Sequence, residues 1–462
     1  MKRQLAGRHN FKLATEAIDP AHAGRSTWFK RMTMIWLTGM LILLPLDFIK
    51  LPLNMTLVDG WVLMGLPGLW LSLVRGRYVI NLSYIIAMWL ILVASVASTF
   101  AAPAPRSSLI VLLKEVYVFV WFVTLVAILV RLSASDFRRT LVVWSGMVLI
   151  NGLVIVAQFL SPEFWRFTAG LAGNLKDYDI YRPSGLFLNA NLAAFFQLLG
   201  FVPLMLASPS KKVAMILGVL LLPTMLLTGS MGATLAFIAG LMVTIVAVVW
   251  SGHLLLTLKI LGRVALVLLL LGGVLYFIIS HNERYHRHFE QIFLGRSERS
   301  SEGRFNLWQR GLEAYVDNEV MLWGVGPENF REVDLARTDN QLHNDFLAFS
   351  VERGLLGTLG LVLFAGLALS RAAYIVLLYN KYPGQASLTV VVFLGAMTAA
   401  IVESLTHQVF HFRALWIVLA FQEAVLFRMM TVNRAVEPAP EFLSGSPDYG
   451  RRLVVRTDVR GG

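Results

Sequence analysis

Arginine, histidine and glutamate residues at the edges of apolar segments are the side chains of this sequence that could carry out chemistry. His343, Asn344 and Asp345 stand directly before a long apolar run. An imidazole exchanges a proton near neutral pH. Eleven residues make about three helical turns, so Gly354 and His343 would share a helix face. Gly357 and Gly360 would continue this face as a smooth strip against which another helix can pack. An ordinary interfacial histidine at a helix end would have the same sequence context.

A second candidate is Arg182, which opens the stretch RPSGLFLNAN. The approach to the next apolar segment is predicted to be irregular and hydrogen-bonded, because it contains Gly185, Asn189 and Asn191. An arginine held at a membrane surface can bind phosphate through its planar, bidentate fork. The alternative is an interfacial arginine that only extends its charged end toward water.

Three further ionisable residues follow an apolar run at regular spacing. Glu403, His407 and His411 are at i, i+4 and i+8, so they share one face if the preceding helix continues outward. Ionisable groups at membrane depth are costly and often functional. Three interpretations stay open: a proton relay in a transporter, polar support for a nearby active site, or a satisfied surface network.

No metal-binding or nucleotide-binding motif is present in the sequence. The chain has no cysteine, so thiolate ligands and disulfides are excluded. His281, His286 and His288 lack the i, i+4 spacing that places two imidazoles on one helix face. There is no P-loop, dinucleotide fingerprint, zinc motif or Gly-x-Ser-x-Gly elbow. We therefore expect chemistry without a metal or cofactor, and neither a nucleotide nor a nucleic acid as partner.

The composition requires membrane helices to position these side chains. Of 462 residues, 57% are hydrophobic and only 15% are charged, whereas soluble domains have about 25% charged residues. Runs near the ~20 residues that cross a bilayer predict an all-α polytopic membrane protein with about twelve transmembrane helices. The predicted spans are Met34–Phe48, Trp61–Val74, Tyr78–Phe100, Leu109–Val130, Leu141–Leu160, Leu192–Leu206, Val213–Leu227, Ala233–Trp250, Val264–Ile279, Phe346–Leu369, Leu388–Ile401 and Ala414–Leu426.

The basic residues predict the topology. The net charge is +12, and short loops on alternate sides of the spans differ sharply in lysine and arginine, which is the positive-inside pattern. The first residues are polar and are not expected to form a signal peptide. The chain is therefore predicted to have a cytoplasmic N-terminal tail (1–33), nine spans with an outer segment at 161–191 (34–280), a large outer loop (281–342), three spans (343–430) and a cytoplasmic C-terminal tail (431–462).

The outer loop, residues 281–342, is the place where function is expected, because long loops on a rigid scaffold usually carry it. Apart from histidines, all its basic residues are arginines. It also contains many acidic residues, so most arginines are expected to form ion pairs and one or two to contact a ligand. A helix is predicted from about Arg304 to Tyr315, followed by a turn-rich piece with Gly324 and Gly326.

Together these segments resemble the O-antigen ligase and polymerase superfamily of membrane glycosyltransferases. That family has a motif of His, then Asn, Ser or Gln, nine residues and Gly-x-x-Gly, which is matched by His343, Asn344, Gly354 and Gly357. Two further segments are similar to family patterns, through Arg182, Gly185, Phe187, Asn189 and Asn191 (with Ala190 in place of a proline), and through Arg304, Trp308, Gly324, Gly326 and Phe330. One departure is Met231, where the family often has the arginine of Ser-Arg-Gly.

The resemblance implies a metal-independent, inverting glycosyl transfer on the periplasmic face of the bacterial inner membrane. The donor would be a polysaccharide on undecaprenyl diphosphate, and the acceptor a sugar hydroxyl of lipid A-core. His343 would act as general base, while Arg182 and Arg304 would bind the donor diphosphate. The supporting residues would be Asn344, Asn189, Asn191, Trp308, Glu403 and His407.

The residues leave the acceptor open. An O-antigen or exopolysaccharide polymerase and a protein O-oligosaccharyltransferase would share the donor with a ligase. A more distant alternative is a proton-coupled transporter that uses Glu403, His407 and His411. Transporters are often built from inverted repeats, and no convincing pair of repeats is visible.

Overall fold

The computed structural model describes residues 27–46, 49–51, 55–74, 82–171, 182–208, 210–252, 297–317, 321–333, 341–381 and 388–436, with isolated positions between 258 and 290. The helices are α1 (Thr27–Leu43), α2 (Leu57–Val74), α3 (Leu82–Phe100), α4 (Pro105–Arg131), α5 (Ala134–Leu160), α6 (Pro162–Leu171), α7 (Ala190–Leu199), α8 (Phe201–Ala207), α9 (Lys211–Leu227), α10 (Met231–Trp250), α11 (Ser297–Asp317), α12 (Phe330–Val333), α13 (Asp345–Lys381), α14 (Val392–Ser404) and α15 (Arg413–Val436). A 3₁₀ helix, Leu388–Val391, precedes α14. Within these ranges the strands are β1 (Lys50–Leu51) and β2 (Met55–Thr56), an antiparallel pair that aligns Lys50 with Thr56.

Six helices are long and apolar enough to cross a membrane: Pro105–Arg131, Ala134–Leu160, Ala190–Ala207, Met231–Trp250, Asp345–Lys381 and Arg413–Thr431. Shorter apolar helices lie at Leu57–Leu66, Tyr84–Phe100, Lys212–Leu227 and Val392–Ser404. The all-α polytopic membrane fold is therefore confirmed for the described residues. The number of twelve spans and the domain boundaries stay predictions, since the predicted ninth span, Val264–Ile279, lies largely outside the described residues.

Glycines allow the central helices to approach each other closely. A Cβ atom on Gly240 of α10 would lie 2.5 Å from the carbonyl oxygen of Gly395 in α14. On Gly360 of α13 it would lie 2.8 Å from the Ile91 side chain of α3. Small residues at such contacts let helix backbones meet, which is how helices associate where lipid removes the hydrophobic driving force. The close helix packing predicted around Gly360 is thus present.

Helix α13 is broken at Gly354, where φ is 65° and ψ is −165°. Backbone from the outer loop satisfies the groups that the break exposes: the Val325 amide donates to the Val351 carbonyl at 2.9 Å, and the Leu355 amide to the Met321 carbonyl at 2.8 Å. The predicted continuous helix face joining His343 to Gly354 is therefore wrong. The helix breaks because Gly354 adopts a backbone conformation that other residues rarely adopt. Backbone of the outer loop then forms hydrogen bonds with the helix at the break.

A buried ion pair lies beside this break. The Arg353 guanidinium, 2% exposed, donates to Glu115 at 2.6 Å, and its Nε donates to the Ser95 hydroxyl at 3.1 Å. Removing one partner of such a buried pair strongly destabilises the fold, because the other charge would stay buried without compensation. Arg353 therefore attaches the broken part of α13 to α3 and α4.

Candidate functional site

His343 lies at the start of α13 in a left-handed backbone conformation, with φ of 50°. That conformation is uncommon for residues other than glycine and costs about 1–3 kcal/mol, so it persists where the surrounding structure imposes it. The Asn344 side chain imposes part of it by accepting the Leu347 amide at 3.0 Å, as an N-cap residue does. Asn344 thus fixes the backbone next to the imidazole.

Asp345 connects the start of α13 to the turn that follows α14. Its buried carboxylate accepts the backbone amides of Val409 at 2.8 Å and Phe410 at 3.0 Å. This turn, residues 405–412, carries His407. The sequence analysis did not predict that Asp345 would hold this turn, although an aspartate at the first position of a helix is visible in the sequence.

The turn brings His407 onto His343. The two imidazole rings stack with centroids 5.2 Å apart and planes 9° from parallel. The Nδ1 atoms of both rings are buried and have no hydrogen-bond partner among the described residues. Two stacked rings whose buried nitrogens are not hydrogen-bonded by any described residue mark a place where a ligand could supply the missing hydrogen bonds.

The predicted helical face of Glu403, His407 and His411 does not form, because α14 ends at Ser404. The His407 amide still donates to the Glu403 carbonyl at 2.8 Å. The His411 Nε2 atom, by contrast, lies 3.7 Å from Glu115. The three side chains therefore divide between the site and the buried ion pair, and they do not form one line across the bundle.

Glu403 is 1% exposed, and its Oε2 atom has no hydrogen-bond partner among the described residues. The start of α10 packs directly on it: a Cβ atom on Gly232 would lie 3.1 Å from Oε2 and 2.3 Å from the Thr406 hydroxyl. Only glycine fits there without displacement of its neighbours. Met231, the position of the family arginine, is next to this contact and 60% exposed.

Helix α11 of the outer loop presents Arg304, Trp308 and Gly311 on one face, at i, i+4 and i+7. The Trp308 indole donates to the Leu342 carbonyl at 2.9 Å, and a Cβ atom on Gly311 would lie 2.6 Å from the Leu342 side chain. The helix is thereby fixed against the residue before His343. Arg304 is close enough for its charge to act on His343 and on Glu403.

Arg182 reaches the same end of the bundle from a different loop. Its Nε atom donates to the Thr228 carbonyl at 2.9 Å, and its guanidinium donates to the Asn191 side chain at 2.9 Å. Thr228 directly follows α9 and lies three residues before Met231. The Asn189 side chain accepts the Asn191 amide at 2.8 Å and caps α7. Asn191 therefore orients the arginine, and Asn189 orients Asn191.

The loop that carries Arg182 is held by two buried polar residues of α5 that sequence reasoning missed. The Gln158 side-chain oxygen accepts the amides of Ser184 and Gly185, both at 2.8 Å. The Asn151 side-chain oxygen accepts the Leu186 amide at 2.8 Å. Asn151 and Gln158 are at i and i+7 in an apolar span, a pattern that predicts one shared polar face.

Burial and neighbouring charge keep both imidazoles neutral. Burial lowers the pKa of His343 to about 4, with a further contribution from the Arg304 charge. Burial also lowers the pKa of His407 to about 3, followed by the effects of His343, Arg304 and Arg182. Burial lowers the pKa of Arg304, and Glu403 opposes that shift, but a guanidinium stays charged at neutral pH. The arrangement offers a neutral base beside two fixed cations.

The exposed histidines of the outer loop are not part of this site. His286 pairs with Glu290 at 3.7 Å with more than half of each side chain exposed, and His288 lies outside the described residues. The predicted site residues that the structure does bring together are Arg182, Arg304, His343, Glu403 and His407, with Asn344, Trp308, Asn191 and Asn189 positioning them.

The fold and the site define a polytopic membrane protein with a cluster of histidine and arginine side chains at one end of its helix bundle. Residues 216–362 match the family model described as O-antigen ligase, which confirms the resemblance to that family. The matched region includes Arg304, His343 and the glycines at 354 and 357 but not Arg182. No curated protein matches the chain.

Proposed function

We propose that the protein is an O-antigen ligase that transfers a polysaccharide from undecaprenyl diphosphate to a sugar hydroxyl of lipid A-core. The reaction would take place on the periplasmic face of the bacterial inner membrane, with membrane lipids around the helices. The observation that carries the proposal is the pair of stacked imidazoles, whose Nδ1 atoms accept or donate no hydrogen bond within the part of the chain that the structure describes. Arg304 and Arg182 come from two separate loops: the charge of Arg304 acts on both rings, and that of Arg182 acts on His407.

The arginines would bind the donor diphosphate. Hydrogen bonds between guanidinium and phosphate are charge-assisted and can be bidentate, and they stabilise the charge that develops on the leaving group. Arg182 donates to the carbonyl of Thr228, in the segment where the family often has its own arginine. This contact supports Arg182 as the residue that supplies positive charge in place of Met231.

His343 would accept the proton of the acceptor hydroxyl. The acceptor oxygen forms a bond to the anomeric carbon from the face opposite the diphosphate, so the configuration at that carbon inverts. The bond from the anomeric carbon to the diphosphate oxygen breaks, and its electron pair stays on the diphosphate. The imidazolium then releases its proton to water. A histidine that is neutral at working pH can accept this proton, and the negative charge of a bound diphosphate would raise its pKa toward the working pH, where a general base is most effective. No step requires a metal.

The identity of the acceptor can be tested directly in cells. A gene deletion followed by examination of the surface glycans separates the members of the superfamily. Lipid A-core without any attached chain supports the ligase. Core that carries a single repeat points to a polymerase, and intact lipopolysaccharide with an unglycosylated surface protein points to a protein O-oligosaccharyltransferase. Unchanged glycans together with a lost proton-driven uptake would support the transporter.

A further inference from the structure

A polar cavity adjoins the segment that carries His343. It encloses about 1030 Å³, part of it open to solvent. Polar side chains on its wall come from four parts of the chain and include Lys114, Glu328, Arg331, Gln341, Gln408 and His411, beside the buried charges of Glu352 and Arg353. The proposed base and the proposed diphosphate arginines are absent from this wall. The cavity is therefore distinct from the cluster around His343.

The wall combines hydrogen-bond donors and acceptors with apolar side chains. Arg413 is paired with Asp59 at 2.7 Å, Arg353 is paired with Glu115 at 2.6 Å, and Arg331 lies 3.9 Å from Glu328, so each of these three arginines lies beside a carboxylate. Amides from Gln341 and Gln408 can both donate and accept, and the apolar residues Val111, Val118 and Ala348 complete the wall. A polyanion would leave the acceptor groups of this wall unsatisfied, and a lipid tail would satisfy neither its donors nor its acceptors. A sugar, whose hydroxyls donate and accept and whose ring carbons are apolar, would satisfy them.

The cavity and the histidine cluster share two segments. Gln341, Leu342 and Asp345 line the cavity on either side of His343 along the chain. Gln408 and His411 line it directly after His407. A group bound in the cavity therefore lies against the same two turns that hold the stacked imidazoles.

The proposed reaction requires such a place. In an inverting displacement the nucleophile and the leaving group are on opposite faces of the anomeric carbon. The acceptor must then approach the base from a side that does not hold the diphosphate arginines. The cavity next to residues 341–345 meets that condition, since neither Arg182 nor Arg304 lines it.

We propose that this cavity binds a sugar residue of the acceptor glycan and directs one of its hydroxyls to His343. The inference rests on the proposed transfer and names the surface that selects the acceptor. Gln341 and Gln408 would form hydrogen bonds to the hydroxyls of the sugar.

Binding can be measured without turnover. His343→Ala protein in nanodiscs is titrated with fluorescently labelled, deacylated core oligosaccharide, and then with the oligosaccharide repeat of the donor polysaccharide. Gln408→Leu and Gln341→Ala are each added to the His343→Ala protein. We expect each to weaken the better-binding oligosaccharide by roughly 3- to 10-fold, as for the loss of one hydrogen bond, while binding of the lipid-linked donor is unchanged.

Matched controls are Arg106→Gln and Glu332→Gln, two exposed residues near the cavity in sequence that do not line it. In protein with an intact His343, the cavity variants should raise the KM for the acceptor and leave the KM for the donor unchanged. If the cavity variants weaken binding of either oligosaccharide, the cavity is the acceptor site. The oligosaccharide that binds better identifies the class of acceptor. Equal oligosaccharide binding by the cavity variants and the controls would overturn the inference.

The two proposals fail in different ways. If protein with intact His343 transfers glycan and His343→Ala does not, but the cavity variants bind and use the acceptor normally, the transfer stands and the cavity assignment is wrong. If the unmodified protein transfers no glycan to any acceptor while it folds and binds the donor, the proposed function itself is wrong.

Discussion

The imidazoles of His343 and His407 lie in parallel planes with their centroids 5.2 Å apart. Two imidazolium ions at this distance would repel each other, so the pair can hold one proton at a time. His407 is only 6% exposed, whereas His343 is half-buried at the start of α13. The proton from an acceptor hydroxyl is therefore expected on His343, the ring that a substrate can reach.

His343→Ala should nearly abolish transfer, with a loss of about 10²–10⁴-fold, the usual contribution of a general base. Donor binding should persist, because the proposed diphosphate contacts come from Arg182 and Arg304. The measurement is turnover and donor binding by purified protein in nanodiscs with lipid-linked donor and acceptor. His286→Ala, at an exposed histidine outside the site, is the control. Near-normal turnover by His343→Ala would exclude it as the base, and joint loss of donor binding would reassign it to phosphate binding.

The pH dependence should reflect the depressed pKa of His343, which burial lowers to about 4. The base form is the neutral ring, so it is present above that pKa and lost as the pH falls through it. We expect kcat/KM, which reports the free enzyme, to fall only below about pH 4 to 5. An anionic diphosphate stabilises the imidazolium, so the acidic limb of kcat should lie at higher pH. A kcat/KM limb near 6.5, the value of an unperturbed imidazole, would contradict the buried site.

Arg182→Ala and Arg304→Ala should each reduce transfer by roughly 10- to 150-fold, corresponding to about 1.5–3 kcal/mol for one charge-assisted contact. Lysine at either position should restore part of the activity, since it keeps the charge but loses the planar fork. Steady-state kinetics with varied donor provides the measurement, and Arg106→Ala, at an exposed arginine, serves as control. Wild-type rates in both alanine variants would remove these residues from the donor site.

Met231→Arg tests whether Arg182 supplies the charge that the family often takes from position 231. Met231 is 60% exposed and follows the segment whose Thr228 carbonyl accepts from Arg182. The substitution should be tolerated, and it should restore at least part of the activity lost in Arg182→Ala. A double-mutant cycle measures this coupling, with Met231→Gln as the uncharged control. Additive effects of the two changes would show that position 231 does not serve the same phosphate.

Much of the site was predictable from residue types at the edges of apolar segments. Arg182, Arg304, His343, Glu403 and His407 were each recognisable as polar residues next to apolar runs. Helical periodicity could not predict that these side chains lie close together, because segments of irregular backbone bring them together. The turn at 405–412 and the left-handed residue before α13 bring the two imidazoles together.

The supporting contacts were harder to foresee, since they join segments far apart in sequence. Asp345 binds amides more than sixty residues later, and Gln158 binds the loop that carries Arg182. A buried acceptor gives no sign in the sequence of which amide it will meet. The break in α13 was missed for a related reason: its missing hydrogen bonds are supplied by residues of the outer loop, so the apolar periodicity continues across it.

Gly354→Ala should therefore destabilise the protein although it adds only one methyl group. Gly354 has φ of 65° and ψ of −165°, a region that is essentially restricted to glycine, and forcing another residue into it costs about 1–3 kcal/mol. A Cβ atom there would also lie 2.3 Å from the Leu322 carbonyl oxygen, so the outer loop would have to move away. Because that loop carries Arg304 and Trp308, transfer should fall together with stability.

Gly366→Ala is the matched control in the same helix, where an added Cβ meets nothing within 4 Å and alanine should stabilise by about 0.5–1 kcal/mol. Thermal unfolding in detergent and turnover in nanodiscs measure both effects. Equal melting temperatures for the two variants would show that the break at Gly354 does not hold the loop in place.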